Sequence, residues 1–509
     1  MSNDKSRVLV GTDPFETRVV VLRGDTLDQF YIERKERSNL LGSIYGARVA
    51  KVLPGIRAAF IDIGMERSAF LPSTQVMSEE FVDATAPGGQ PKPEGGERKH
   101  RRKRRRGVEV IERSIRKGEE LMVQVIQVPG AEKGPKVTTY LSIPGHYLVY
   151  MPTVKGLGVS KKILSRKERT RLRGIGEAIK KEMEGGYIIR SVSEGVPEEK
   201  LTQEARWLHG RWAQALARAR GKKPPHLILP EVTLGERVLR EMKGEEIDEI
   251  LVDDLETLEV LKQYARSAGV DFEGRVRLWS REEDMFTALG VEERIERAFA
   301  RKIALGSGGH IVIDQAEALT AIDVNTGSYT GDRDPGQTIL TTNLEAVREI
   351  AYQLRLRHIG GLVILDLIDM DSEEHKEQVY RELVKQIKGD KAKISVRKIS
   401  DMGLIEMTRE HYGPRIMAML QEKCWYCDGT GHILSRDAIC GKILRAVIRA
   451  LRAEPGDLVV TAHQSLVLRM ESEFAGYLRA IEGKYQAKVR FVPKIDVHIE
   501  YFNISRASS

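Results

Sequence analysis

The chain reads as a multidomain α/β protein, and three features predict that class. At 509 residues it is longer than one hydrophobic core organises. Its early part holds short strands broken by Pro54-Gly55 and Asp62-Ile63-Gly64. From Gly309 onward, apolar strands alternate with amphipathic helical patterns.

Residues 7–35 alternate as a hairpin through Val8-Leu9-Val10, Val19 to Leu22 and Phe30-Tyr31-Ile32, with Arg23-Gly24-Asp25 as the turn. Strands follow at Ser43 to Val52, Ala58 to Ile63, Ser68 to Leu71, Leu121 to Gln127 and Val137 to Ser142. Strands this short suit a small closed barrel. The stretch from Ala86 to Arg106, first Pro- and Gly-rich and then basic, is expected to interrupt the barrel as a disordered loop. Residues 145–235 mix strands (Tyr147 to Met151, Tyr187 to Val192) with amphipathic helices, one of them basic near Arg206 to Arg220. Residues 236–300 are mostly α/β in pattern. A strand at His310 to Asp314 and a second through Asp323 come next. A helix from about Asn343 to Arg357 places Leu344, Val347, Ile350, Ala351 and Leu354 on one face and stops at Gly360-Gly361. The strand carrying Asp366, a helix starting near Ser372 and a small α/β segment after Cys427 complete the chain. No internal repeat is present.

Composition narrows the class. With 41% hydrophobic and 31% charged residues, most of the chain should fold. Three cysteines exclude a disulfide framework and point to a reducing compartment. No signal-peptide layout and no apolar stretch of bilayer length occur, so a cytoplasmic protein without a membrane span is expected. The net charge of +8 comes from one place: the run Arg98 to Arg106 holds eight Lys and Arg residues. One basic arm on a neutral scaffold is a candidate nucleic-acid contact, or else a solvated loop.

Two hydrophobic strands each carry a carboxylate, Asp323 in Ala321-Ile322-Asp323-Val324-Asn325 and Asp366 in Leu362-Val363-Ile364-Leu365-Asp366. A bare aspartate in a core strand is costly to desolvate unless it is paired or holds a metal. The interval suits one strand–helix–strand crossover, which can set the two side by side. Asp323 and Asn325 share a face, whereas Asp366 and Asp369 face opposite sides. Asp366 is the expected partner of Asp323. Hard oxygen donors with no histidine nearby favour Mg²⁺ or Mn²⁺, which polarises a phosphoryl oxygen and activates water. The plainer alternative is two strand-end aspartates that cap helices.

Cys424-Trp425-Tyr426-Cys427 supplies two of the four ligands of a structural zinc site. No second pair exists, so a site shared by two copies of the chain is the economical solution. A redox dithiol or two free thiols are the alternatives. Phe60 and Phe70 in the barrel can stack on bases, with Lys133 reaching a phosphate, or they are ordinary core.

These segments together resemble the bacterial ribonuclease E/G family. The resemblance rests on Ala58 to Gly64, Ala69 to Pro72, Ile188-Ile189-Arg190-Ser191, Glu317 to Asn325, Thr342 to Ala346, Gln353 to Arg357, Gly360-Gly361 and Asp366 to Met370. It is nearest to the shorter branch of that family, which lacks a long disordered tail. It implies an endoribonuclease for single-stranded, often A/U-rich RNA, leaving 5′-monophosphate and 3′-hydroxyl ends and serving rRNA and tRNA processing and mRNA decay. By resemblance, Asp323 and Asp366 are magnesium ligands, Asn325 positions phosphate, and Lys393 stands where an arginine near the scissile phosphate is frequent. Phe60, Phe70 and Lys133 match an RNA-binding face. Gly145, Val149, Lys161, Arg190 and Ser191 match a pocket that senses the 5′-monophosphate. Ser191 and Lys161 there replace threonine and arginine; a lysine cannot make the bidentate phosphate contact of an arginine. Cys424 and Cys427 match a zinc link that joins protomers into a homodimer or tetramer, with Trp425 where proline is common.

The implied architecture is an RNase H-like domain at 1–37 and 236–298 and an OB-fold S1 domain at 38–143 with a basic disordered insertion at 86–107. A 5′-sensor follows at 144–235, then a DNase I-like catalytic domain at 299–420, a zinc link at 421–434 and a small α/β domain at 435–509. The competing expectation is a non-catalytic RNA-binding scaffold that uses the barrel and the basic arm.

Overall fold

The computed structural model of the chain describes residues 6–35, 40–77, 115–128, 134–243, 246–327, 335–388, 390–411 and 416–507. The expected insertion at 86–107 and Lys133 lie outside the described residues. The chain divides into two compact units, Met1–Met417 and Ala418–Ser509.

Among the described residues, four sheets build the first unit. Ser6–Thr12, Glu16–Arg23 and Thr26–Arg34 form an antiparallel meander. Ile247–Val252 and Val276–Leu278 extend it beyond Ser6–Thr12 in parallel, so segments far apart in sequence share one sheet. Val8, Leu9, Val10 and Val19 to Leu22 are all buried. A continuous apolar run is the signature of strands covered on both faces.

The predicted barrel closes. Ile44–Leu53 pairs with Ala58–Asp62 on one side and Glu120–Gln127 on the other, and Ala69–Pro72 and Lys136–Thr138 complete the ring. Ala47, Val49, Ala59, Ile61, Leu71, Val123 and Val137 fill the interior, as the alternation of these short strands requires. His226–Leu229 adds a strand outside the ring, against Ile44–Leu53. A third, small sheet contains Ile143–Pro144, Leu148–Met151, Gly186–Ile189 and Leu157–Val159. It shares a core with the first sheet and with the helices Arg166–Glu182 and Glu198–Ala219.

The fourth sheet has the order Lys302–Ala304, His310–Gln315, Leu319–Asn325, Gly361–Asp366, Leu404–Arg409, Ile394–Val396. Ile311, Ile313, Ile322, Val324, Val363, Leu365, Ile405 and Met407 point into a core with the helices Pro335–Leu356 and Glu373–Ile387. The alternate residues of these strands face the other way. The first helix begins at Pro335, about two turns before the expected start near Asn343. Leu340 and Thr342 extend its buried stripe, and the hydroxyls of Thr341 and Thr342 bond back to the carbonyls of Gln337 and Thr338. Threonine is a weak helix former, and here packing outweighs propensity.

In the second unit, Leu458–His463 pairs in parallel with Val489–Lys494 and antiparallel with Phe502–Arg506. The helices Arg436–Ala453, Gln464–Ser472 and Ala475–Tyr485 accompany this sheet, and Ile443, Val447, Val460, Leu466 and Met470 lie at its core. Among the described residues no helix is long and apolar enough to cross a membrane.

Candidate active site and RNA-contacting surfaces

The strands Leu319–Asn325 and Gly361–Asp366 run parallel, joined through the helix Pro335–Leu356, and Asp323 stands directly opposite Asp366. Ile322, Val324, Val363 and Leu365 turn into the core. Both carboxylates therefore project from the opposite, open face, where both are exposed. The expectation of buried carboxylates is corrected: the strands are apolar because one face packs on helices, while the acids belong to the other face. Asn325 shares that face and donates its Nδ2–H to Asp323 Oδ2 at 2.7 Å. Among the described residues neither carboxylate has a Lys or Arg partner.

Like charges directly opposite each other on neighbouring strands are destabilising. A divalent cation between them removes that penalty. The donor set fits Mg²⁺: two hard carboxylates, one of them oriented by an amide, leave positions for water and phosphate oxygens. No cluster of three or more His, Cys, Asp or Glu suited to a metal occurs among the described residues; of these residues, Asp323 and Asp366 are the pair that would hold it.

Packing fixes the ends of these strands. Asn343 is fully buried. Its Nδ2 donates to the carbonyl of Ile368 at 2.8 Å, and its Oδ1 accepts from the N–H of Ile368 at 3.1 Å. This paired contact pins the chain just past Asp366. Beneath Asn325, a Cβ on Gly309 would lie 2.7 Å from Thr342 Cγ2 and 2.8 Å from the Asn325 carbonyl, so only glycine fits there.

Lys393 is not brought to the acid pair. Its carbonyl accepts from the N–H of Glu410, one residue beyond Arg409, and Arg409 stands opposite Gly361. Asp366 stands opposite Leu404, at the other end of the same ladder. At ~3.3 Å per residue, Lys393 lies roughly 20 Å from Asp366 along the strands. The buried Arg409–Asp390 pair, 3.0 Å apart, anchors this corner of the sheet. Lys391, two residues earlier, lies within electrostatic range of Arg190 and Glu241. This corner of the sheet thus lies toward Arg190 and Glu241.

On the barrel, Phe60 and Phe70 are direct cross-strand neighbours, ring centroids 6.0 Å apart and edge to face. Both are half-buried, while Ala59, Ile61, Ala69 and Leu71 fill the interior. The two rings are thus on the outer wall. The same row continues to Lys51 on one side and Lys136 on the other. A lysine–phenylalanine–phenylalanine–lysine row crosses four strands, roughly 14 Å from end to end at ~4.8 Å per strand.

In the third sheet, Arg190 follows the strand Gly186–Ile189, and its Nη1 donates to the carbonyls of Gly145 at 2.8 Å and His146 at 3.2 Å. Its Nη2 is paired with Glu241 at 2.6 Å. Val149 is opposite Ile188 and Pro144. Lys161 is exposed, in the turn after Leu157–Val159, whose Val159 is the neighbour of Ile189. Ser191 opens the 3₁₀ turn Ser191–Ser193, held by Ser193 Oγ donating to the Tyr147 carbonyl at 2.8 Å.

Beneath this cluster lies Glu204, fully buried. Its carboxylate accepts from the backbone N–H groups of His146, Tyr147 and Leu148 at 2.5, 2.8 and 2.8 Å. Burial pushes the carboxyl up to about 7, against the pull of those three donors. A Cβ on Gly145 would meet this carboxylate at 2.7 Å, which explains the glycine.

In the second unit, the chain at Cys424 and Cys427 turns back on itself. Gly429 N–H donates to the Cys424 carbonyl at 3.0 Å and Gly431 N–H to Cys427 Sγ at 3.3 Å, with Asp428, Gly429 and Gly431 at positive φ. The Gly431 N–H, with Cys424 beside it, holds the Cys427 thiol below its ordinary range. Backbone N–H groups aimed at sulfur stabilise thiolates, the form that binds zinc. His498 Nε2 donates to the Tyr426 carbonyl at 2.7 Å and braces the turn. Cys440 is buried in the helix Arg436–Ala453 and is no part of it.

Comparison with known proteins gives the chain a family. A sequence model described as the Ribonuclease E/G family matches residues 142–412. Ribonuclease G of Escherichia coli (strain K12) is 36% identical over 492 residues, covering 96% of this chain and 97% of the relative. The chain belongs to the ribonuclease E/G family. Ribonuclease G of Haemophilus influenzae is 34% identical over 88% of each chain. Ribonuclease E of Escherichia coli (strain K12) is 32% identical over 99% of this chain and 46% of the relative.

Four residues at the sites of this ribonuclease E/G member have a role that the sequence alone did not assign. Glu204 had a legible signal, since it occupies the apolar stripe Leu201, Ala205, Leu208, Trp212 of its helix. Asn343, too, sits inside a helix stripe. Lys51 and Lys136 carry no local signal, because only the strand register sets them beside the two phenylalanines.

Proposed function

We propose that the chain is a Mg²⁺-dependent endoribonuclease acting on single-stranded, A/U-rich RNA, stimulated by a 5′-monophosphate on the substrate. That it is an endoribonuclease follows from its membership in the ribonuclease E/G family. The observation that carries the chemistry is the register of Asp323 with Asp366 on an exposed sheet face. A divalent cation held there would polarise the scissile phosphate and make bound water a better nucleophile. Asn325 keeps Asp323 in place and presents its amide to a phosphate oxygen. Water oxygen bonds to phosphorus, the bond from phosphorus to the 3′ oxygen breaks, and that oxygen leaves with a proton. The products are a 5′-monophosphate and a 3′-hydroxyl.

The remaining surfaces take supporting parts. The outer wall of the barrel, residues 38–143 of an S1-type domain, holds unpaired bases on Phe60 and Phe70. Residues 144–235 sense the 5′ end, where a terminal phosphate competes with Glu241 for Arg190. Lys393 contacts RNA backbone between this pocket and the acid pair instead of the scissile phosphate. Residues 1–37 and 236–298 serve as an RNase H-like scaffold, 299–420 as a DNase I-like catalytic domain and 435–509 as a small terminal domain. Cys424 and Cys427, in the link 421–434, supply half of a zinc site shared by two protomers. Maturation of ribosomal and transfer RNA and decay of messenger RNA in the cytoplasm are the matching roles.

One labelled RNA prepared with either a 5′-monophosphate or a 5′-triphosphate tests this reading. Cleavage is expected only with Mg²⁺, and faster from the monophosphate. Equal rates from both ends would remove the sensor assignment. RNA binding with no Mg²⁺-dependent product would leave only a binding scaffold.

A further inference from the structure

Resting on that reading, the geometry points to Lys302 as a cation that contacts a non-bridging oxygen of the scissile phosphate. Lys302 stands opposite Val312, Val312 opposite Asp323, and Asp323 opposite Asp366, so all four form one row across the sheet. Ile303 packs into the core, which sends Lys302 to the open face together with the acids. Two strand spacings, ~10 Å, separate Lys302 from Asp323. A flexible lysine stem spans about 6 Å of that, and the side chain between them is a valine. The remaining gap is about the width of a phosphate group.

Charge accounting on the same edge favours this role. Neighbouring Arg301 is clamped by both oxygens of Asp314, at 2.6 and 2.8 Å. Lys302 has no carboxylate within ion-pair distance among the described residues. Its charge therefore faces the acid row uncompensated, at a position where Lys393 is absent. Hydrolysis builds negative charge on the non-bridging oxygens, and a cation flanking the acid pair stabilises that charge as it forms. The ammonium touches phosphate and neither donates nor accepts the proton.

The test uses the full-length protein and Lys302→Met, a neutral side chain of similar length, with Lys302→Arg as the conservative variant. Single-turnover cleavage by Lys302→Met should fall about 10²-fold, the usual cost of losing one preorganised charge-stabilising donor. Its RNA affinity should change by less than about threefold, as one backbone contact among several predicts. Lys302→Arg should recover most of the rate. Mn²⁺ affinity in Lys302→Met should be unchanged or higher, since a lysine repels the cation. An unchanged rate, a loss confined to RNA binding or weakened Mn²⁺ binding would each overturn the proposal. Asp323→Asn, run alongside, separates the two levels: if it also cleaves at the parent rate, the acid-pair reading itself fails.

Discussion

Asp323→Asn is expected to lower cleavage by about 10³-fold or more while RNA affinity stays within about twofold, a loss of roughly 4 kcal/mol confined to the transition state. The substitution keeps the shape of the side chain and removes one of the two charges that face each other across the parallel ladder. The Asn325 amide would still find an acceptor oxygen at this position, so local structure should survive. Asp366→Asn should behave alike, and the double variant should be little worse than either single one, because the two oxygens act as one unit. The measurement is single-turnover cleavage at saturating enzyme beside a direct binding assay. A variant that bound RNA poorly but cleaved what it bound at the parent rate would place these acids in recognition and not in chemistry.

The second large effect concerns the barrel. Replacing Phe60 and Phe70 together by alanine should weaken binding of a short single-stranded RNA by about 30-fold at the least, from ~1–3 kcal/mol per stacked base. Salt dependence separates these rings from their flanks. The phenylalanine variants should leave the slope of log Kobs against log salt unchanged. Lys51→Ala or Lys136→Ala should each lower it by about 0.7, the value for one phosphate contact on a single strand. Titrations at several salt concentrations check both. Intact affinity in the phenylalanine double variant would return the two rings to a plain structural role on the barrel wall.

Much of this architecture was legible in the residues because its signals are local. The run Leu362 to Leu365 flanked by Gly360-Gly361, and the helical stripe through Val347, Ile350 and Leu354, define a strand–helix–strand unit without distant information. The barrel strands announced themselves through alternation and turn residues. What the chain did not reveal depends on register. A shift of one residue in pairing exchanges the faces of a strand, so whether Asp323 meets water or core is decided by helices packed behind it. The same holds for Lys393, whose place at the far end of the ladder follows from the antiparallel return of Leu404–Arg409. Glu204 and Asn343 act across long sequence separations, on His146 to Leu148 and on Ile368. Their partners are backbone groups, which carry no side-chain signature in a sequence.

On the proposed reading, Asp323 and Asp366 jointly hold one divalent cation at the open face of their sheet. Anomalous scattering from crystals equilibrated with Mn²⁺ tests it most directly. A single peak about 2.0–2.2 Å from an oxygen of each carboxylate is the predicted result, lost in Asp323→Asn crystals treated identically. A peak bound by one aspartate alone, or an empty site in Mn²⁺-saturated crystals of an enzyme that cleaves RNA in the same buffer, would contradict it.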